Sequence, residues 1–256
     1  MTPLEDDYTA RADGYASHVA AYKDPTSFEL TRSLLSNMEE GAPAIDICCG
    51  QGDASQPLRE AGMDLSYFDA TEKMVRKGVE RGNIPEGSYR LGNLMDGLPY
   101  GGNSFMIALL RYALHDIRDK KYALGEISRV LRRGGEFLNI DMVSGSGRIK
   151  ELYEIYHTKK TLGDERPCWI PTEEEMTELM IGAGFSDIRT GNYVSRLYTV
   201  DWFKEGQITE DRLMEINDIF RFYSRFNDVQ EFFGIREEEG GLIHVDLPVL
   251  FIRGQK

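Results

Sequence analysis

The chain is short of cysteine, of histidine and of long apolar runs, and each shortage removes a class of protein. Three cysteines in 256 residues, two of them adjacent at Cys48 and Cys49, cannot build a disulfide framework. That usage fits a reducing compartment, and a cytoplasmic location is the expectation. No stretch approaches the roughly 20 apolar residues that a bilayer-crossing helix needs, so no membrane span is expected. The opening residues, "MTPLEDDYTARADG", are acidic and lack the basic-then-apolar order of a secretory signal. Basic charge is also scarce: 30 Lys and Arg face 43 Asp and Glu, a formal net charge of −13. Such a surface repels phosphate backbones, and no nucleic-acid partner is expected. No Cys-x-x-Cys or paired histidines occur, so no metal site is expected either.

What remains is an ordinary globular composition, 41% hydrophobic and 29% charged, at a length near the upper limit for one hydrophobic core. Short β-type runs alternate with helix-type segments, the pattern of a parallel α/β sheet. Strands are expected at Ala44–Cys48, Leu65–Asp69, Ser88–Leu91, Phe105–Leu110, Glu136–Met142, Ser186–Tyr193 and Leu242–Ile252. Helices are expected at about Ala54–Glu60, Thr71–Arg81, Lys120–Arg132 and Thr172–Ala183. Gly134-Gly135 and Gly182–Gly184 read as helix stops, and Thr172 with Glu175 as a capping box. The expectation is a Rossmann-like, seven-stranded, mostly parallel sheet whose last strand is antiparallel, flanked by helices. No repeat or linker breaks the chain, so residues 1–256 read as one domain. Its core would be 42–200 and 242–256, with a helical cap at 1–40 and a helical insertion at 201–241.

The cap places Tyr8, Ala12, Tyr15, Val19 and Tyr22 on one helical face. Together with Gly147–Pro171 and Asp201–Gly241 it adds aromatic-rich length to a small sheet. Single aromatics of this kind are mostly core packing. As a group, additions over strand ends usually build a substrate pocket and cover it.

The stretch "AIDICCGQGDAS", Ala44–Ser55, is the most informative. An apolar strand ends on Asp46 and runs into a turn carrying Gly50 and Gly52, where bare backbone can approach a ligand. Dinucleotide binding asks for a third glycine, and Ser55 stands there instead; a phosphate-binding loop asks for Gly-Lys-Ser/Thr, and the turn has no lysine. Asp69 ends the second strand 17 positions after Gly52, about the interval at which such folds hold a ribose diol. At the third strand's end Asn93 offers an acceptor oxygen for an adenine amino group.

Taken in order, D-I-C-C-G-Q-G, F-D-A-T-E-K-M, G-N-L and V-L-R-R-G-G-E-F resemble the class I S-adenosylmethionine-dependent methyltransferases. The resemblance is to their small-molecule branch, which includes quinone-biosynthesis enzymes, and it covers about Ala42 to Met142. It implies S-adenosylmethionine as cofactor, with Asp46 and the Gly50–Gly52 backbone on the methionine part and Asp69 on the ribose. It also implies that Ala70 and Met74 border the adenine while Asn93 and Leu94 read its edge. The family more often has Asp where this chain has Asn93; Asn keeps one acceptor oxygen. Cys48 and Cys49 read as small packed side chains beside the cofactor.

Base-modifying enzymes of this kind usually carry Asn/Asp-Pro-Pro-Tyr/Phe after the fourth strand, where this chain reads "ALLRYALHD". The acceptor is therefore expected to be a small molecule, apolar or aromatic. Tyr112 and His115 are the candidate catalytic residues, His115 as a general base. Arg111 belongs with the cofactor residues and has the charge to hold an acidic group on the acceptor as well. Tyr15, Tyr193 and Trp202 would complete an apolar substrate pocket. Homo-oligomerisation is left open. A non-catalytic S-adenosylmethionine-binding sensor or partner module is the alternative function.

Overall fold

The computed structural model describes residues 8–10, 12–13, 25–160, 169–198 and 209–256. Strands β1 (Pro43–Ile47), β2 (Asp64–Asp69), β3 (Tyr89–Leu91), β4 (Phe105–Arg111) and β5 (Leu131–Met142) alternate with helices. Those helices are α1 (Pro25–Ser33), α2 (Gln56–Glu60), α3 (Glu72–Glu80) and α4 (Lys120–Val130). Then follow α5 (Arg148–Lys160), α6 (Glu173–Gly182), β6 (Ser186–Tyr198), α7 (Glu210–Tyr223), α8 (Asn227–Phe233), β7 (Arg236–Glu237) and β8 (Ile243–Gln255). The sheet order is β3-β2-β1-β4-β5-β8-β6, with β7 attached to β8. The pairs among β1 to β5 are parallel. Gly134 N–H donates to Lys256 O, and Val143 N–H to Pro248 O. Those partners descend along β8 as β5 ascends, so β8 runs antiparallel to β5.

By contacts the chain divides into two compact units. The larger, Asp24–Asp141 with Glu174–Gly191 and Leu250–Lys256, carries the parallel strands. Its strands are apolar on both faces: Ile45, Ile47, Phe68, Leu109, Leu110 and Leu138 are all buried, as a parallel sheet covered by helices requires. Helix α4 buries Ala123, Leu124, Ile127 and Val130, one stripe at helical spacing. Asp119 caps it, accepting Tyr122 N–H at 2.9 Å.

The other unit comprises Met1–Lys23, Met142–Glu173 and Asn192–Val249. Its core is built by α5, α7, α8 and the first half of β8, with Leu152, Ile216, Phe220, Val229, Phe233 and Val245 buried together. Tyr153 meets Phe233 edge-on, ring centroids 5.1 Å apart. The segments Gly147–Pro171 and Asp201–Gly241 thus contribute helices α5, α7 and α8. Of the N-terminal face, Tyr8 lies in one helical turn and Ala12 is buried; Tyr15, Val19 and Tyr22 lie outside the described residues.

Two sequence expectations change. Gly134-Gly135 does not stop a helix: α4 ends at Val130, and Leu131 already pairs with Phe105. The next pair, Ile107 with Glu136, crosses two residues of β4 but five of β5, so the glycines sit inside a bulge. Gly134 takes φ +78°, and a Cβ on Gly135 would stand 2.9 Å from Arg132 O. The eighth strand, β7, is two residues long and too short for any periodicity to mark it.

Because Phe233 fills the centre of the second core, Phe233→Ala should cost about 3–5 kcal/mol. Thermal unfolding should then fall by roughly 10 °C. A change under 2 °C would mean that this core adds little to global stability.

Candidate active site

Strand order reverses between β1 and β4, the place where open α/β sheets bind ligands beyond their strand ends. Asp46 stands there near the end of β1, buried, and its Oδ2 has no hydrogen-bond partner. Burial pushes its carboxyl up to about 7, although the Ser55 hydroxyl and the Arg111 and Arg59 guanidinium groups pull the other way. A buried carboxylate oxygen without a partner is costly unless a cation comes to it.

The following turn folds tightly, with Gly52 N–H donating to Cys49 O at 2.8 Å. Gly50 (φ +53°) and Gly52 (φ +74°) occupy the left-handed region that glycine tolerates. Cys48 shares it at φ +54°, where a side chain costs roughly 1–2 kcal/mol. Asp69 secures the turn from β2: Oδ2 accepts Gly50 N–H at 2.8 Å, and Oδ1 accepts Thr71 N–H at 2.7 Å. The Thr71 hydroxyl and the Ala70 N–H bond the same carboxylate, so Asp69 is an acceptor held by several donors at the strand end. Burial raises the pKa of both Cys48 and Cys49, with the Asp69 carboxylate adding to it. Neither thiol is set up as a nucleophile.

Beyond Asp69, Ala70 is half-buried, and Met74 is buried with its Sδ 3.7 Å from Gln51 Nε2. Leu94 is buried, and Asn93 Oδ1 accepts Met95 N–H at 2.9 Å, capping the short turn Leu94–Asp96. Asn93 therefore has a local structural task that the sequence reading did not foresee, and one lone pair is left for a ligand.

From β4, Arg111 lies two residues past Leu109, the register partner of Asp46, so the two side chains leave the same face of the sheet. Its Nη1 donates to Ser27 Oγ at 3.1 Å, and its guanidinium lies over the Phe28 and Tyr112 rings at 5.8 and 5.7 Å. Tyr112 holds φ +50°, a strained conformation for an aromatic residue. Its N–H donates to Ile140 O. His115 follows in a 3-10 turn and is buried. Asp141, from the end of β5, grips it twice: Oδ2 accepts the His115 backbone N–H at 3.0 Å and Oδ1 lies 2.7 Å from Nδ1. Across the ring, Nε2 stands 3.4 Å from Asp116 Oδ2.

The structure thus gathers Asp46, the glycine turn, Asp69, Met74, Arg111, Tyr112 and His115 within one unit. Tyr193 is half-buried on β6 in the other unit, while Tyr15 and Trp202 lie outside the described residues. The sequence reading missed Asp141. Its signal was an acid at the end of β5, in "LNID", on the strand beside β4. Among the described residues no cluster of His, Cys, Asp or Glu suits a metal ion, and no helix is long and apolar enough to cross a membrane.

Residues 45–139 match the methyltransferase domain family. Demethylmenaquinone methyltransferase of Renibacterium salmoninarum is 24% identical over 186 residues, covering 66% of this chain and 77% of that one. Those of Leptospira interrogans and Bacillus velezensis, 27% and 29% identical, are spanned over about half their length, 49% and 48%. The YcgJ protein of Bacillus subtilis shares the fold at a TM-score of 0.78 and 20% identity, over 90% of this chain and 98% of that one. Phosphoethanolamine N-methyltransferase 2 of Haemonchus contortus, solved with S-adenosylhomocysteine, shares it at 0.60 and 18% identity, over 89% and 52%. The chain thus carries a methyltransferase domain at residues 45–139, and the solved structures share its fold.

The strain at Cys48 gives a direct test. Cys48→Gly removes the left-handed penalty and should hold or raise the melting temperature, whereas β-branched Cys48→Val should lower it by several degrees. The opposite order, read by thermal unfolding, would show that thiol packing outweighs backbone strain.

Proposed function

We propose that this S-adenosylmethionine-dependent methyltransferase modifies a small apolar or aromatic molecule bearing a hydroxyl or a similarly acidic proton. The observation that carries the reading is the grip of Asp141 on His115 at the end of β4, beside the switch point that holds Asp46. The residues present fit the cofactor. The unpaired Asp46 oxygen suits an ammonium group, and Arg111, leaving the same face, suits the neighbouring carboxylate of an amino-acid end. The Gly50–Gly52 backbone admits close approach, and the buried Asp69 carboxylate beside it has the acceptor chemistry that ribose hydroxyls need. Ala70, Met74 and Leu94 would border the adenine, with Asn93 at its edge. When bound, the cofactor supplies an electrophilic methyl group on a sulfonium.

Asp141 fixes Nδ1 of His115 as a hydrogen-bond donor, and Nε2, beside Asp116 Oδ2, is the ring nitrogen that would exchange a proton with the acceptor. The carboxylates on both sides, Asp141 and Asp116, stabilise the imidazolium that results. Burial of the ring keeps bulk water from Nε2. Tyr112, strained in the intervening turn, would contact the acceptor. The demethylmenaquinone methyltransferase relatives support this class, since the acceptor in their name is a small quinone. The negative surface charge favours a small molecule over nucleic acid.

Incubation with methyl-labelled cofactor and a panel of small phenols and quinols should move label into at least one of them. With that acceptor, His115→Asn should bind S-adenosylhomocysteine normally and turn over at least tenfold more slowly, a barrier increase of about 1.4 kcal/mol. Normal turnover across pH 6 to 9 would make His115 a packing residue. Tight cofactor binding with no label transfer to any small molecule would favour a cofactor-sensing module instead.

A further inference from the structure

The cofactor turn is held from outside by a polar latch at the far end of α3. Arg81, just past that helix, sends Nη1 and Nη2 to the two carboxylate oxygens of Asp53 at 3.0 and 3.1 Å. Nη1 also donates to Gln51 Oε1 at 2.8 Å. Asn83 Nδ2 donates to Gln51 O at 3.1 Å and to Asp53 Oδ1 at 3.3 Å. The backbone is pressed onto the same surface. A Cβ on Gly78 of α3 would stand 2.8 Å from Gln51 O, and one on Gly52 would stand 2.7 Å from Ile84 Cγ1. Every residue of the turn is therefore secured by another segment: Gly50 by Asp69, Gln51 by Arg81 and Asn83, Gly52 O by Arg59, Asp53 by Arg81.

Exposed ion pairs are usually weak, but this one is forked, its carboxylate is 13% exposed, and it is tied to a buried glutamine. Glycines at positions 50 and 52 make the turn costly to order in isolation. A ligand that needs the turn in one shape would bear that ordering cost unless the protein has already met it.

We infer that Arg81 is a positioning residue for the cofactor: through Asp53 and Gln51 it presets the Gly50–Asp53 turn and thereby raises cofactor affinity. The inference rests on the reading that this turn receives the methionine part of the cofactor. Its guanidinium is engaged by Asp53 and Gln51, so its effect on the ligand runs through the turn.

Calorimetric titration with S-adenosylhomocysteine tests this without any acceptor. Arg81→Met should raise Kd at least tenfold. Hydrogen exchange at the amides of Gly50–Asp53 should quicken in the ligand-free variant, with the β4 and β5 amides unchanged. Arg81→Lys, which keeps the charge but loses the fork, should fall between wild type and Arg81→Met. Adding Asp53→Asn to Arg81→Met should change Kd by less than twofold, because the latch is already open. Arg212→Met, which removes a half-buried pair with Glu215 in the other unit, should match wild type. Wild-type binding with an Arg81→Met Kd within twofold of it overturns the inference alone. So does a variant whose exchange quickens everywhere alike, since that marks a purely structural role. A wild-type protein that binds no S-adenosylhomocysteine overturns the cofactor reading as well.

Discussion

A carboxylate taken out of water with one oxygen unpaired is among the costlier things a fold can contain, and Asp46 is such a group. Its place explains the cost. Strand β1 is central, with parallel neighbours on both sides, so its end is walled by β2 and β4 and solvent cannot satisfy the side chain. Removal of the charge would suit the apolar core better. Under the proposed function a cationic ligand meets it at the switch point, and the surrounding groups frame that place. Asp69 closes the turn from one side, Arg111 stands on the other, and α3 braces the turn from behind.

Strain is concentrated at the same place. Four non-glycine residues among those described have positive φ, and two of them, Cys48 and Tyr112, follow directly on β1 and β4. The strand register sets these residues on neighbouring strands, one step past the last paired positions. Backbone strain at such positions persists when surrounding contacts over-determine it. At Tyr112 the N–H bond to Ile140 O supplies part of that restraint. The grip of Asp141 on the next turn supplies more. The carboxyl ends of β4 and β5 thus trade local comfort for a fixed aromatic ring and a fixed imidazole.

Much of this was legible in the sequence because the deciding signals are local. The apolar run before Asp46, the glycines after it and the acid ending β2 each fall within a few residues, and they carry the fold and the family resemblance that implies the cofactor. What stayed hidden depends on distant pairings. Asp141 and His115 are 26 positions apart, Arg81 and Asp53 are 28 apart, and periodicity carries no information about either. Gly134-Gly135 misled because a glycine pair after a helix ends it far more often than it lodges in a strand bulge. Asn93 was read for its ligand chemistry alone, yet its oxygen also caps the next turn.

The most direct test of this account is the proton balance of cofactor binding. A carboxyl held near 7 by burial is mostly protonated at pH 6, and an arriving ammonium group favours its ionised form. Binding of S-adenosylhomocysteine should therefore release close to one proton at pH 6, and almost none by pH 8. Calorimetry in buffers of different ionisation heat measures that number. 5′-Methylthioadenosine, which lacks the amino-acid end, should release none, and Asp46→Asn should abolish the release seen with S-adenosylhomocysteine. Tight binding of S-adenosylhomocysteine at pH 6 with no proton released, or with the same release from Asp46→Asn, would contradict the role given to Asp46.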